Sequence, residues 1–237
     1  MRLLHGILIG AALAFMQPSA WGFESVRTQE INECRSGELA TWDDGQDKPA
    51  SGLPLAFVYD PAAAPDWFAP TVVAGLVKKA AVAWSQCGVP VQVLGLAGGA
   101  EERAGTIRIQ WNEKDSGGNF GLANLGRRTL SLSPKAFELL KTRNPAHDAR
   151  TTLQLVISHE MGHFFGLLAH SRRCVDVLSY YDNGRGEKCY SRDVSQMRFF
   201  AEYRHVLPTA CDIERCRKVN GQPPLTAGRL GMTAPLP

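Results

Sequence analysis

Residues 159–170 read His-Glu-Met-Gly-His-Phe-Phe-Gly-Leu-Leu-Ala-His. They close a longer helical pattern in which Leu153, Val156, Ile157, Met161, Phe164, Phe165, Leu167 and Leu168 form an apolar stripe. Asp148 stands where a helix N-cap or first-turn acid belongs. Gly166 can take a positive φ and end the helix. Within that helix His159 and His163 share one face, a turn apart, and Glu160 lies about 100° around the axis.

Two imidazoles so placed can share one metal ion. Zinc takes neutral imidazole nitrogen at about 2.0–2.1 Å and prefers four ligands, which leaves room for a third protein ligand and a water. The offset keeps Glu160 off the metal yet near that water. Zinc acidifies it to a pKa of about 7, and a carboxylate can take its proton during attack. A core helix has no structural need for His-Glu-x-x-His, which favours metal binding over a packed helix that happens to carry two histidines. A chain that swings back after Gly166 makes His170 the first candidate for third ligand. Asp176, Asp182, Glu187 and Glu202 stay open as alternatives.

The stretch resembles the metzincin zinc metallopeptidases, whose pattern is His-Glu-x-x-His-x-x-Gly-x-x-His. His159, Glu160, His163 and Gly166 match position by position, whereas the family's third histidine falls on Ala169 and His170 comes one residue late. A one-residue insertion in the turn accounts for this, and His170-Ser171 is similar to the His-Ser of the matrix-metalloproteinase (matrixin) branch. Val177-Leu178-Ser179-Tyr180 resembles the turn beneath the zinc in that family, with Leu178 in its methionine position. That methionine packs and does not ligate, and Met-to-Leu exchanges cost under about 1.5 kcal/mol. Tyr180 falls where some members carry a tyrosine that stabilises the oxyanion, against an even chance of a simple packed aromatic.

The resemblance implies an α+β fold, a metzincin-like zincin domain. In it a twisted mixed sheet packs on two long helices, and a third helix lies C-terminal. It also implies a zinc endopeptidase in which His159, His163 and His170 hold one Zn²⁺ while Glu160, with Tyr180, does the chemistry on a protein or peptide substrate. The alternative is a non-catalytic zinc-binding interaction module, motivated by the late His170 and by Leu178. The intact Glu160 argues against it, since a structural site has no use for a base. A zinc hydrolase acting on a non-peptide amide is a third reading. The likeness covers roughly residues 53–206 and is specific only at 159–171.

The amino terminus reads as a secretory signal peptide over residues 1–22. It has Arg2, an apolar run from Ile7 to Met16 too short to span a bilayer, and a small-residue cleavage site at Ala20-Trp21-Gly22. Six cysteines follow, at 34, 87, 174, 189, 211 and 216. An even count behind a signal peptide points to three disulfides in an oxidising compartment, secreted or periplasmic. Fifteen pairings are possible, and the expected set is Cys174–Cys189, Cys211–Cys216 and Cys34–Cys87. Cys87-Gly88-Val89-Pro90 is similar to a propeptide cysteine switch, but it follows a helix of the domain itself and is read as a disulfide half. The formal charge of +3 gives no argument for nucleic acid or a membrane surface, and a monomer is expected.

One domain over residues 23–220 fits the length, with a Pro/Gly/Thr-rich tail over 221–237 expected to be disordered. Residues 55–59 read as a first strand, 70–86 as a helix, 91–96, 106–111 and 129–132 as strands, and 116–126 as a glycine-rich loop. Residues 129–133 are the candidate edge strand along the cleft, to which substrate could add. Ser191-Arg192-Asp193 opens an expected third helix running to about His205. Ca²⁺ at Asp115 and Asn119 is chemically possible but matches no ligand loop, so both are read as turn residues.

Overall fold

Two long helices carry the apolar faces read from the sequence. The first, over Pro70–Trp84, starts on a proline, which needs no N–H there, and buries Val73, Val77, Ala80, Ala81 and Trp84. The second, over Ala149–Phe164, is capped by Asp148, whose carboxylate accepts from the Arg150 amide at 3.0 Å. The Trp84 indole donates to Ser158 O at 2.9 Å and pins one helix to the other. These are α2 and α4 of a computed structural model that describes residues 24–97 and 104–225. The proposed signal peptide, and the tail beyond residue 225, lie outside the described residues.

Both helices pack on a five-stranded sheet: β1 (Leu55–Tyr59), β2 (Val91–Leu96), β3 (Ile107–Trp111), β4 (Gly121–Asn124) and β5 (Thr129–Leu132), in the order β2-β1-β3-β5-β4. All pairings are parallel except β4 with β5. Phe57, Ile107, Ile109, Leu130 and Leu132 share one core with Leu153 and Ile157 of α4. Each such side chain contributes about 1.5–3 kcal/mol by leaving water. The class is α+β with a mixed sheet, as expected.

The edge strand is not the expected one. Residues 129–132 form β5, enclosed between β3 and β4, and the edge is β4, built from residues read as loop. Four residues beginning with glycine show no alternation from which a strand could be read. Three helices were also missed, among them α1 (Val26–Asn32). Pro134–Arg143 (α3) follows a Ser133 side chain that accepts from Ala136 N, a Ser-Pro start that was available in the sequence. Ala210–Val219 (α6) opens with a capping box, Thr209 and Asp212 satisfying each other's backbone amides.

The expected helix over 191–205 is instead broken. Asp193 caps a single 3₁₀ turn at Val194–Gln196, Phe199 is extended, and only Phe200–Tyr203 (α5) is helical. The C-terminal helix therefore exists, but it is α6. Residues 221–223 are held rather than loose, since Gln222 N donates to Arg217 O at 2.8 Å and Arg217 Nε donates to Pro223 O at 2.6 Å.

Disulfides join Cys174 to Cys189 as expected, but Cys34 to Cys211 and Cys87 to Cys216. Cys211 and Cys216 both lie on α6. Five residues apart, they are offset by about 7.5 Å along the axis and about 140° around it, beyond the reach of a disulfide. Each instead ties α6 to a different part of the chain: Cys34 follows α1 (Val26–Asn32), and Cys87 ends the turn after α2.

Candidate metal centre and its cavity

Helix α4 delivers His159, Glu160 and His163 at its last turns, and the chain then reverses. Gly166 has φ +100°, and a side chain there would run into Lys48 O. Leu168 and Ala169 amides are both accepted by one oxygen of Asp47, at 2.8 and 3.0 Å, and Asp47 is held in turn by Arg215 at 2.8 Å. This uses up Ala169, buried in the position of the expected ligand, and turns His170 inward.

The three histidine rings stand with centroids 5.1–5.2 Å apart, and one ligand atom from each lies within 4.8 Å of the other two. Asp176, Asp182, Glu187 and Glu202 are not in this group. Each ring is oriented through its other nitrogen. His159 Nδ1 contacts Val177 O at 2.8 Å, His163 Nδ1 contacts Leu167 O at 2.7 Å, and His170 Nδ1 contacts Asp44 Oδ2 at 2.7 Å. Carbonyl and carboxylate oxygens only accept, so each Nδ1 carries the proton and each Nε2 keeps a free lone pair. His170 Nε2 is buried with no hydrogen-bond partner. Three fixed neutral imidazoles around an orphaned nitrogen fit a zinc ion, and the carbonyl and carboxylate behind them are the partners that such ligands need.

Burial is the main reason that the histidines stay neutral. It lowers His159 well below its ordinary value, His163 to about 4, and His170 despite the opposing Asp44 charge. Burial also penalises a charged Asp44, but the hydrogen bonds from His170 outweigh this and hold its carboxyl low.

Glu160 accepts from the Ala123 amide of β4 at 2.8 Å, with the same oxygen 4.0 Å from His163 Nε2. Burial pushes its carboxyl up to about 7, opposed by the Ala123 bond and by Arg204. Tyr180 stacks on His170 at 3.8 Å between ring centroids and is 42% exposed. Leu178 is fully buried against Gly162 of α4, and Ser171 N donates to its carbonyl at 2.8 Å.

The turn that holds His159 rests on a buried polar network. Asp212 of α6 accepts from Val177 N at 2.9 Å, and Asp176 accepts from Arg173, Ser171 and Thr209 at 2.9, 2.6 and 2.6 Å. This consumes Asp176, one of the alternative ligands. Asp115 is likewise spent on Asn112 and Arg127, and Asn119 on Ser116 O, as turn residues. Among the described residues, two further histidines line the cavity, the exposed His147 and the partly buried His205.

The histidines open onto a cavity of about 1090 Å³, walled by β4, α4 and the 199–206 segment. Asp44, Asp47 and Arg204 were not picked out from the sequence. The acidic run Asp43-Asp44-Gly45-Gln46-Asp47 was the visible signal for the first two. No protein-family model and no curated protein matches this chain. Among solved structures, a chain described as "GM1 bound form of the ECX AB5 holotoxin" is similar at 14% identity and a TM-score of 0.42, covering 70% of this chain and 79% of that one. A likeness that distant carries no functional argument.

Proposed function

We propose that the protein is a zinc-dependent endopeptidase, with His159, His163 and His170 as metal ligands and Glu160 as the base that activates water. The observation that carries this reading is the convergence of three Nε2-presenting imidazoles, each locked through Nδ1, beside a buried carboxylate. When bound, zinc would polarise the substrate carbonyl and acidify the attacking water. Glu160, buried and held by the Ala123 amide with its carboxylate oxygen 4.0 Å from His163 Nε2, suits a group that takes a proton from water and returns it to the leaving amine. Tyr180, at the cavity rim beside His170, would donate to the developing oxyanion. The open cavity favours catalysis over a closed structural site, which would fill its fourth position with protein.

Extended substrate has a natural berth along β4, whose residues 121–123 line the cavity and whose Leu122 is exposed. Three disulfides suit an oxidising environment, and among the described residues no helix is long and apolar enough to cross a membrane. A secreted or periplasmic site of action follows as part of the proposal.

The test is metal analysis together with proteolysis of an unfolded protein substrate. About one zinc per chain is expected, and Glu160→Gln should keep the zinc while losing at least about 100-fold in kcat. Stoichiometric zinc without turnover on any of a broad set of peptides would instead identify a zinc-binding module.

A further inference from the structure

Several arginines that the fold wholly or partly buries have carboxylate partners. Arg173 pairs with Asp176 at 2.9 Å, Arg192 with Glu38 at 2.6 Å and Arg215 with Asp47 at 2.8 Å. Even the half-exposed Arg172 has Glu187 at 3.9 Å. Arg204 lines the same cavity as the three histidines, and among the described residues it makes no direct ion pair, although Glu160 and Asp212 lie near enough to act on its charge. Its Nη1 donates to Ser179 O at 2.7 Å, and its Nε is shut away from solvent without a partner.

Arg204 is also held firmly. It ends α5, its amide donates to Phe200 O, its guanidinium lies over the Phe200 ring at 5.2 Å, and Arg27 donates to the carbonyls of Tyr203 and Arg204. Burial lowers its pKa to about 10, against the pull of Tyr180 and Glu160. At neutral pH it is still a full cation. An unpaired cation in a largely apolar cavity is costly, and that cost is relieved when an anion enters. A guanidinium meets a carboxylate with two parallel hydrogen bonds, which gives direction as well as affinity.

We infer that Arg204 is a specificity-determining residue that takes a carboxylate of the substrate inside the cavity, either an acidic side chain close to the scissile bond or the terminal carboxyl of a short peptide. This rests on the peptidase reading, in which the same cavity receives the chain that is cut. Ser179 O fixes one end of the guanidinium and leaves the rest of it for the ligand. Tyr180, next in sequence to Ser179, places the anion site at the rim of the histidine cluster.

The zinc-loaded full chain is tested on paired peptides that differ only by Asp against Asn, or Glu against Gln, at each position around the cleaved bond. Each pair is made with a free and with an amidated C-terminus. The acidic member is expected to have a kcat/KM at least about tenfold higher, and the acid-to-amide ratio should fall towards one in Arg204→Met, with Arg204→Lys in between. A purely structural arginine would lower both members of a pair and leave the ratio alone. Arg204→Lys, which keeps the charge, serves where Arg204→Met does not fold.

Binding of the same labelled peptides to the Glu160→Gln protein, with Arg204 or Met at 204, is measured by fluorescence anisotropy. Preferential binding that depends on Arg204, without turnover in the parent, upholds the inference and sinks the peptidase reading. Turnover in which Arg204→Met changes neither the acid-to-amide ratio nor the preference for a free C-terminus does the reverse. Neither turnover nor selective binding overturns both. An Arg204-dependent acid-to-amide ratio that survives amidation assigns the anion to a side chain, and an Arg204-dependent preference for the free over the amidated C-terminus assigns it to the terminal carboxyl.

Discussion

At the scale of single residues, Glu160 and His163 make opposite demands on pH. The Glu160 carboxyl rises from 4.5 to about 7 in the fold, so the metal-free native state holds a proton that the unfolded chain has already lost. Stability from this group is present below pH 4.5 and is lost as pH rises through 7, a change of about 3 kcal/mol. The His163 imidazole falls from 6.5 to about 4, so its contribution is full above pH 6.5 and is lost on acidification, by a similar amount. The two nearly offset each other between pH 4.5 and 6.5. Removing only the carboxyl should uncover the histidine trend. Metal-free Glu160→Gln is expected to match the parent near pH 4.5 and to exceed it by up to about 3 kcal/mol at pH 8, read from urea melts in chelator. A constant difference across that range would mean that Glu160 is not held protonated by the fold.

Asp44 acts one step behind the metal. It accepts from both the backbone and the ring of His170, fixing which nitrogen faces inward. Carboxylates in this position typically contribute 10–100-fold in metal affinity. Asp44→Ala should weaken zinc binding by about that factor in a competition titration, with Asp44→Asn losing less because its amide oxygen can still accept. An unchanged dissociation constant in Asp44→Ala would remove this residue from the account.

At the scale of elements, the decisive piece is the turn from Gly166 to His170 and the strap at 42–48 that closes over it. Lys48 N donates to Gly166 O, Trp42 N to His170 O, and Asp47 accepts the two amides between. Gly166 combines φ +100° with backbone against its face, so a methyl group is excluded twice. Gly184 also has a positive φ, 68°, but faces open space. Gly166→Ala is therefore expected to cost about 2 kcal/mol or more and to weaken zinc binding, whereas Gly184→Ala should cost about 1 kcal/mol with zinc unaffected. Similar losses in both variants, by thermal melting, would show that strain alone matters and that the strap does not.

Elements with strong internal periodicity were legible from the sequence: α2, α4 and strands β1 to β3 all appear close to their expected bounds. The histidines and Glu160 were legible because their spacing is a local helical property. The features that failed depend on distant partners. β4 is a strand only because β5 lies beside it, and the 191–205 segment loses its helix where His205 N must reach Val175 O. The support for His170 was invisible for the same reason, since Asp44 lies 126 residues away in the chain.

At the scale of the molecule, α6 is the piece that makes these separate parts one body, and its two disulfides show how. Cys34–Cys211 spans 177 residues and Cys87–Cys216 spans 129, while Cys174–Cys189 spans only 15. A cross-link stabilises chiefly by restricting the unfolded chain, about 3 kcal/mol for a loop of 15 residues and close to 5 for one beyond 100. The short bridge closes a loop next to the turn that holds His159, whereas the long ones bind α6 to α1 and α2. Loss of Cys87–Cys216 by double alanine replacement should thus cost about 1–2 kcal/mol more in urea melts than loss of Cys174–Cys189. Zinc affinity should order the other way, because Cys174 sits three residues before Val177, whose carbonyl orients His159. If the short bridge proves the more stabilising, or if zinc binding follows global stability alone, then α6 is not the clasp described and the site does not depend on its local turn.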